Sequence, residues 1–148
     1  MMMSFRSVVQ YCMFGIALLI CTHARADFYI VAHSSNQQQS LSQKEAVNLF
    51  MGRSRAFANG EFALVFDLPR SKPVSGAFYR ALTGLSMAQV NSYWSRLMFS
   101  GQNMPPQPLP NERAMIDIIK RNPSAIGWLT SVPKDENLRV LLILKELS

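Results

Sequence analysis

Both cysteines of this chain, Cys12 and Cys21, come before Thr22. Everything after them must fold without a disulfide or a thiolate-held metal, so a packed apolar core has to hold it together. The same opening stretch is patterned like a secretory leader. Arg6 supplies an early positive charge, Val8 to Cys21 is apolar apart from Gln10, and Ala24-Arg25-Ala26 gives a small-x-small cleavage pattern ahead of Asp27. The apolar run is shorter than the roughly 20 residues a membrane-spanning helix needs. The expectation is a cleaved signal peptide over residues 1–26 and a periplasmic protein. Ile20 before Cys21 argues against lipid attachment, and Met1, Met2 and Met3 leave the start codon open. Residues 27–148 then form one domain. A chain of that size buries about two-thirds of its unfolded surface, which is enough for a core, and it is too short for two domains.

The net charge is +6. The positive residues are scattered, with Arg53/Arg55, Arg70/Lys72 and Lys120/Arg121 as the close pairs, whereas a nucleic-acid binder gathers them on one face. Nucleic acid is therefore not expected as a partner. An excess of positive charge does suit an anionic ligand or an anionic membrane surface.

Local signals divide the domain. Phe28–Ala32 reads as a strand and His33–Ser40 as a polar loop. Ser42-Gln43-Lys44-Glu45 spells a capping box, followed by the apolar face Ala46, Val47, Leu49 and Phe50 and a stop at Gly52. Asn59-Gly60 marks a turn, and Phe62–Phe66 reads as a buried strand. Asp67–Pro73 is an irregular loop, with Pro73 suited to a first helical turn. That helix runs to about Leu82, with Gly84 as its cap. Ser86-Met87-Ala88-Gln89 is a second capping box, and Val90, Tyr93, Trp94 and Leu97 follow at helical spacing. Met104–Pro110, with its four prolines, reads as an extended connector. A helix over about Asn111–Arg121 ends at Asn122-Pro123. Strands over Ala125–Leu129 and Leu138–Leu144 flank the turn at Pro133–Asn137. This order implies an α/β domain with a mixed sheet flanked by helices.

At this point the chain resembles the phosphate ABC transporter substrate-binding proteins. Leu41-Ser42 through Phe50-Met51-Gly52 is similar to their "LS…(I/L)FxG" helix. Phe78-Tyr79-Arg80-Ala81-Leu82 and Tyr93-Trp94-Ser95 resemble the "FY…L…YWS" stretch of short relatives, and Leu97–Gly101 fits the same pattern. Asn122-Pro123-Ser124-Ala125-Ile126-Gly127-Trp128 resembles the "NPGAIGY" turn into a strand, and Val140-Leu141-Leu142 also fits. The resemblance implies a periplasmic-binding-protein-like (type II) fold. Full-length members have two lobes and hold phosphate between them, and this chain has room for about one lobe. The family's "RSDGSGTT"-like phosphate loop corresponds here to Asp67–Gly76, with Ser71-Lys72-Pro73-Val74 in place of the Gly-Ser-Gly-Thr core.

The residues of that loop can still address an anion. A helix N-terminus offers unpaired N–H groups and the positive end of its dipole. Ser71 and Ser75 bring hydroxyl donors, Arg70 a bidentate fork and Lys72 a point charge, with Asp67 at the start of the loop. Pro73 removes one N–H. A second polar patch, Ser34-Ser35-Asn36, follows the first strand. Ligands of open α/β sheets bind beyond the carboxyl ends of strands. If the first two strands run parallel, the two patches share one edge and one pocket. His33, without cysteine partners, makes a poor metal site. No G-x-S-x-G, H-E-x-x-H or glycine-rich nucleotide loop appears, so neither an enzyme nor a cofactor is expected. Trp94, Tyr93 and Trp128 read as core.

Two functions follow from this. The first is an extracytoplasmic solute-binding-like protein holding phosphate or a similar small oxyanion, with a membrane transporter as partner. The second is an envelope interaction or sensor module built on one lobe, with a homodimer across the cleft face as a compromise between them.

Overall fold

A computed structural model describes residues 25–147. The leader reading covers residues 1–26, of which 1–24 lie outside that range. Two helices begin on the capping boxes. At the start of α1 (Gln43–Phe50), the Glu45 N–H donates to Ser42 Oγ at 3.2 Å and the Ser42 N–H donates to Glu45 Oε2 at 2.7 Å. At the start of α3 (Met87–Phe99), Ser86 and Gln89 repeat the exchange. Between them, α2 (Pro73–Thr83) carries Pro73 at its first turn. The last helix, α4 (Glu112–Arg121), is capped by Asn111, whose Oδ1 accepts from the Ala114 N–H at 2.9 Å.

The strands are β1 (Asp27–His33), β2 (Leu64–Asp67), β3 (Gln107–Pro108), β4 (Ala125–Leu129) and β5 (Leu138–Lys145). They form one mixed sheet in the order β3-β2-β4-β1-β5. β2 is parallel to both β3 and β4, and β1 is antiparallel to both β4 and β5.

Three expectations are corrected here. β2 begins at Leu64, two residues later than Phe62. The Asn59-Gly60 turn folds Phe62 back onto Ala56 in an antiparallel bridge, and this leaves Phe62 exposed. The proline connector is not wholly irregular. Gln107–Pro108 joins the sheet as its edge strand, a position where a proline's missing N–H does no harm. Finally, β1 runs against β2, because β1 is antiparallel and β2 parallel to the β4 strand between them. The carboxyl ends of β1 and β2 therefore lie at opposite ends of the sheet.

Alternation along β4 sets the two faces. Gly127 faces α4 so closely that a Cβ there would fall 2.1 Å from Met115 Sδ. Trp128 faces the other way and stacks on Phe78 of α2, with ring centroids 4.2 Å apart and planes 4° from parallel. Phe28 and Phe50 pack edge-on against this pair, and all of these side chains are buried. Hydrogen bonds link the helices: Gln43 Nε2 donates to the Leu82 carbonyl at 2.9 Å and the Tyr93 hydroxyl donates to the Met51 carbonyl at 2.7 Å.

Candidate functional site

The loop between β2 and α2 is organised around one buried carboxylate. Asp67 is 2% exposed. Its Oδ1 accepts from Trp128 Nε1 at 2.8 Å and from the Leu68 N–H at 2.8 Å, and its Oδ2 accepts from the Tyr79 hydroxyl at 2.6 Å. Burial pushes the Asp67 carboxyl above its ordinary pKa. The three hydrogen bonds and the nearby Arg70 charge pull the other way. Burial and the adjacent carboxylate push the Tyr79 hydroxyl well above its usual range. The carboxylate thus joins the end of β2 to β4 and α2.

Above it, the loop is tied to itself. The Pro69 carbonyl accepts from the Lys72 N–H at 3.0 Å and from Ser75 Oγ at 2.9 Å, and Ser75 is fully buried. Lys72 Nζ donates to the Pro110 carbonyl at 2.7 Å, which fastens the loop to the proline connector. Lys72 is also the N-cap of α2, and no side chain caps that turn. Arg70 is half-buried and Ser71 is exposed. Between Asp67–Arg70 and the wall formed by Pro105, Pro106, Pro108, Leu109 and Pro110 lies a cleft of about 550 Å³. A cation, a hydroxyl and an uncapped helix start beside a cleft can receive a small anion.

The other predicted patch lies elsewhere. Because β1 runs against β2, Ser34, Ser35 and Asn36 sit at the far end of the sheet, and no pocket is shared with Asp67–Ser75. There the Ser34 N–H donates to the Asn137 carbonyl at 2.8 Å, and Ser35 Oγ lies 2.7 Å from His33 Nδ1. Buried Asn36 donates Nδ2 to the Pro123 carbonyl at 2.9 Å, and its own carbonyl accepts from Arg139. The patch holds the turn after β1 against the start of β4. It does not reach the cleft.

Trp128 is a core residue, as the periodicity implies, and so is Tyr79, but their polar ends are what satisfy Asp67. The sequence does hold a signal for this. A buried tyrosine or tryptophan needs a partner for its O–H or N–H, and Asp67 ends a buried strand.

Among the described residues no helix is long and apolar enough to cross a membrane, and no cluster of histidine, cysteine and carboxylates could hold a metal.

Comparison of the sequence with protein-family models and with curated proteins finds no match. Comparison of the fold does. A candidate phosphate ABC transporter substrate-binding protein from Clostridium perfringens, solved with phosphate bound, superposes with a TM-score of 0.61 at 12% identity, covering 78% of this chain and 45% of that one. An ABC-type phosphate transport receptor from Vibrio cholerae gives 0.58 at 15% identity, over 78% and 46% of the two chains. A candidate phosphate-binding protein from Planctomyces limnophilus gives 0.51 at 9%, over 82% and 54%. The chain has a periplasmic-binding-protein-like fold and spans about half the length of the solved structures it matches.

Proposed function

We propose that this chain is an extracytoplasmic solute-binding lobe that takes phosphate or a similar small oxyanion at the start of α2. The observation that carries this reading is the placement of Arg70. It is half-buried on the wall of the Asp67–Pro110 cleft, one residue before Ser71 and two before the uncapped N-cap of α2. The fold shared with phosphate-transport proteins supports the reading, since the C. perfringens structure holds phosphate. The ligand groups are the Arg70 guanidinium, the Ser71 hydroxyl and the Val74 N–H, since Pro73 has no N–H and the Lys72 and Ser75 N–H groups donate within the loop. Lys72 and Ser75 shape the loop from beneath, and Asp67 anchors it. A membrane transporter is the partner that such a module serves.

Isothermal titration calorimetry of the purified protein with phosphate, then sulfate, at low salt tests this. Saturable heat that Arg70→Ala abolishes supports it. No heat at millimolar phosphate overturns it. A second reading, an envelope interaction module, is favoured by Phe99, which stands 98% exposed at the end of α3. In that case Phe99→Ser abolishes capture of a partner, and phosphate gives no heat.

A further inference from the structure

A second cleft, of about 310 Å³, lies between the Arg55–Phe62 arm and the Asn103–Gln107 segment. That volume is at the small end of what small-molecule sites offer. Trp94 forms part of its wall. The side chain is fully buried, and its Nε1–H finds no acceptor among the described residues, whereas the other indole, Trp128, donates to Asp67. A buried donor left unpaired is unusual in a native core. The benzo edge of Trp94 lies against Gly52, where any Cβ would stand 2.7 Å from Cη2. Asn103 stiffens the same wall by donating Nδ2 to the Gly52 carbonyl at 2.6 Å.

The rim is apolar and cationic. Phe62 is 56% and Met104 71% exposed there, and Pro105 lies beside them. Arg55 stands at the rim with a contact of 3.4 Å to Asn103 Oδ1, at the outer limit of a hydrogen bond. Its fork is therefore free for an anion. Glu61, the acid of the same arm, accepts from Asn59.

We propose that this cleft binds a small amphipathic carboxylate. Its apolar body packs on Phe62, Met104 and Pro105 over the wall that Trp94 backs, and its carboxylate is held by Arg55. The site adjoins the anion cleft at the start of α2, sharing Pro105 and Pro106 with it, and its ligand differs in needing an apolar body.

The test is a titration of the ¹⁵N-labelled protein followed by NMR, because Trp94 and Trp128 each give an indole N–H signal. With phenylacetate as the probe, the Trp94 signal shifts saturably in the millimolar range while that of Trp128 stays put. Acetate, which lacks the apolar body, and benzyl alcohol, which lacks the charge, each bind at least tenfold more weakly. Arg55→Ser, at an exposed position, weakens phenylacetate about tenfold, with the Trp128 signal reporting an intact fold. Phe62→Ser does the same through the apolar wall. The proposal is overturned if phenylacetate leaves the Trp94 signal unmoved, if Arg55→Ser leaves the affinity unchanged, or if inorganic phosphate moves Trp94 as strongly as phenylacetate does.

Discussion

Tyr79 donates its hydroxyl to Oδ2 of Asp67 at 2.6 Å across the boundary between α2 and β2, and both residues are buried. The carboxylate is buried, so its three donors act as a set. Removing one leaves a buried charge short of a partner. Tyr79→Phe is expected to cost about 2 kcal/mol, the worth of a hydrogen bond to a charged group. Asp67→Ala strands both the Tyr79 hydroxyl and the Trp128 indole N–H and costs more, about 3 kcal/mol or above. Urea unfolding followed by far-UV circular dichroism measures both. A Tyr79→Phe loss below about 0.5 kcal/mol would show that the bond contributes little net stability.

The same carboxylate gives a pH dependence whose sign is opposite to that of ordinary paired acids. Burial raises the Asp67 pKa in the folded state above the ordinary value of 3.8. The folded protein therefore holds this proton more tightly than the unfolded chain does. The stability it contributes is fully present below 3.8 and is lost as pH rises through the raised folded value. Glu45 and Asp135, whose pKa values are lowered by their hydrogen bonds, contribute the reverse and favour the fold above their ordinary values. Subtracting the unfolding free energy of Asp67→Asn from that of the wild type isolates the Asp67 contribution. That difference should favour the wild type increasingly as the solution is acidified. A difference that moves toward the variant on acidification would refute the assignment.

Gly127 and Met115 test the packing on the other face of the sheet. An alanine Cβ at position 127 would fall 2.1 Å from Met115 Sδ and 3.1 Å from its Cε and Cγ. Met115 is fully buried, so relief requires its side chain to repack inside the core. Gly127→Ala is expected to destabilise by about 1–3 kcal/mol, the usual cost of overpacking. Met115→Ala alone leaves a cavity and costs about 2–4 kcal/mol. The double variant should be more stable than the sum of the two losses implies, because each change relieves the other. Additive losses would mean that the two side chains do not share the space.

The elements were legible where the signal was local. Ser42 with Glu45, Ser86 with Gln89, and Pro73 each fix a helix start within a few residues, and the structure places the helices there. The polarity of β1 was not legible. Its direction is set by pairing with β4 and β5, a hundred residues away in sequence, and Phe28–Ala32 carries no mark of it. That single unknown decided whether Ser34–Asn36 could meet Asp67–Ser75. Phe62 misled for a related reason. Its apolar character suggests a strand, but the turn at Asn59-Gly60 recruits it into the arm with Ala56. At the candidate site, the Arg70–Ser75 loop leading into a helix was readable from Pro73. The tie between Lys72 and Pro110 was not, because it joins segments brought together only by the β2–β3 pairing.

That tie separates two cations that look equivalent in sequence. Lys72 Nζ is committed to the Pro110 carbonyl at 2.7 Å. To reach an anion it would have to give up that bond and loosen the connector. Arg70 has no such commitment among the described hydrogen bonds, and its fork matches an oxyanion in two places. If phosphate binds at the start of α2, Arg70→Ala should weaken it at least tenfold, while Lys72→Ala should weaken it only about twofold, through loss of net charge. Salt offers an independent check, because a long-range charge effect fades as ionic strength rises and a direct bidentate contact persists. Calorimetry of both variants at low and at near-physiological salt therefore reads the site directly. The Arg70→Ala deficit should survive the added salt and the Lys72→Ala deficit should vanish. Equal and equally salt-sensitive losses would place the anion on the outer surface of the loop and not in the cleft beside it.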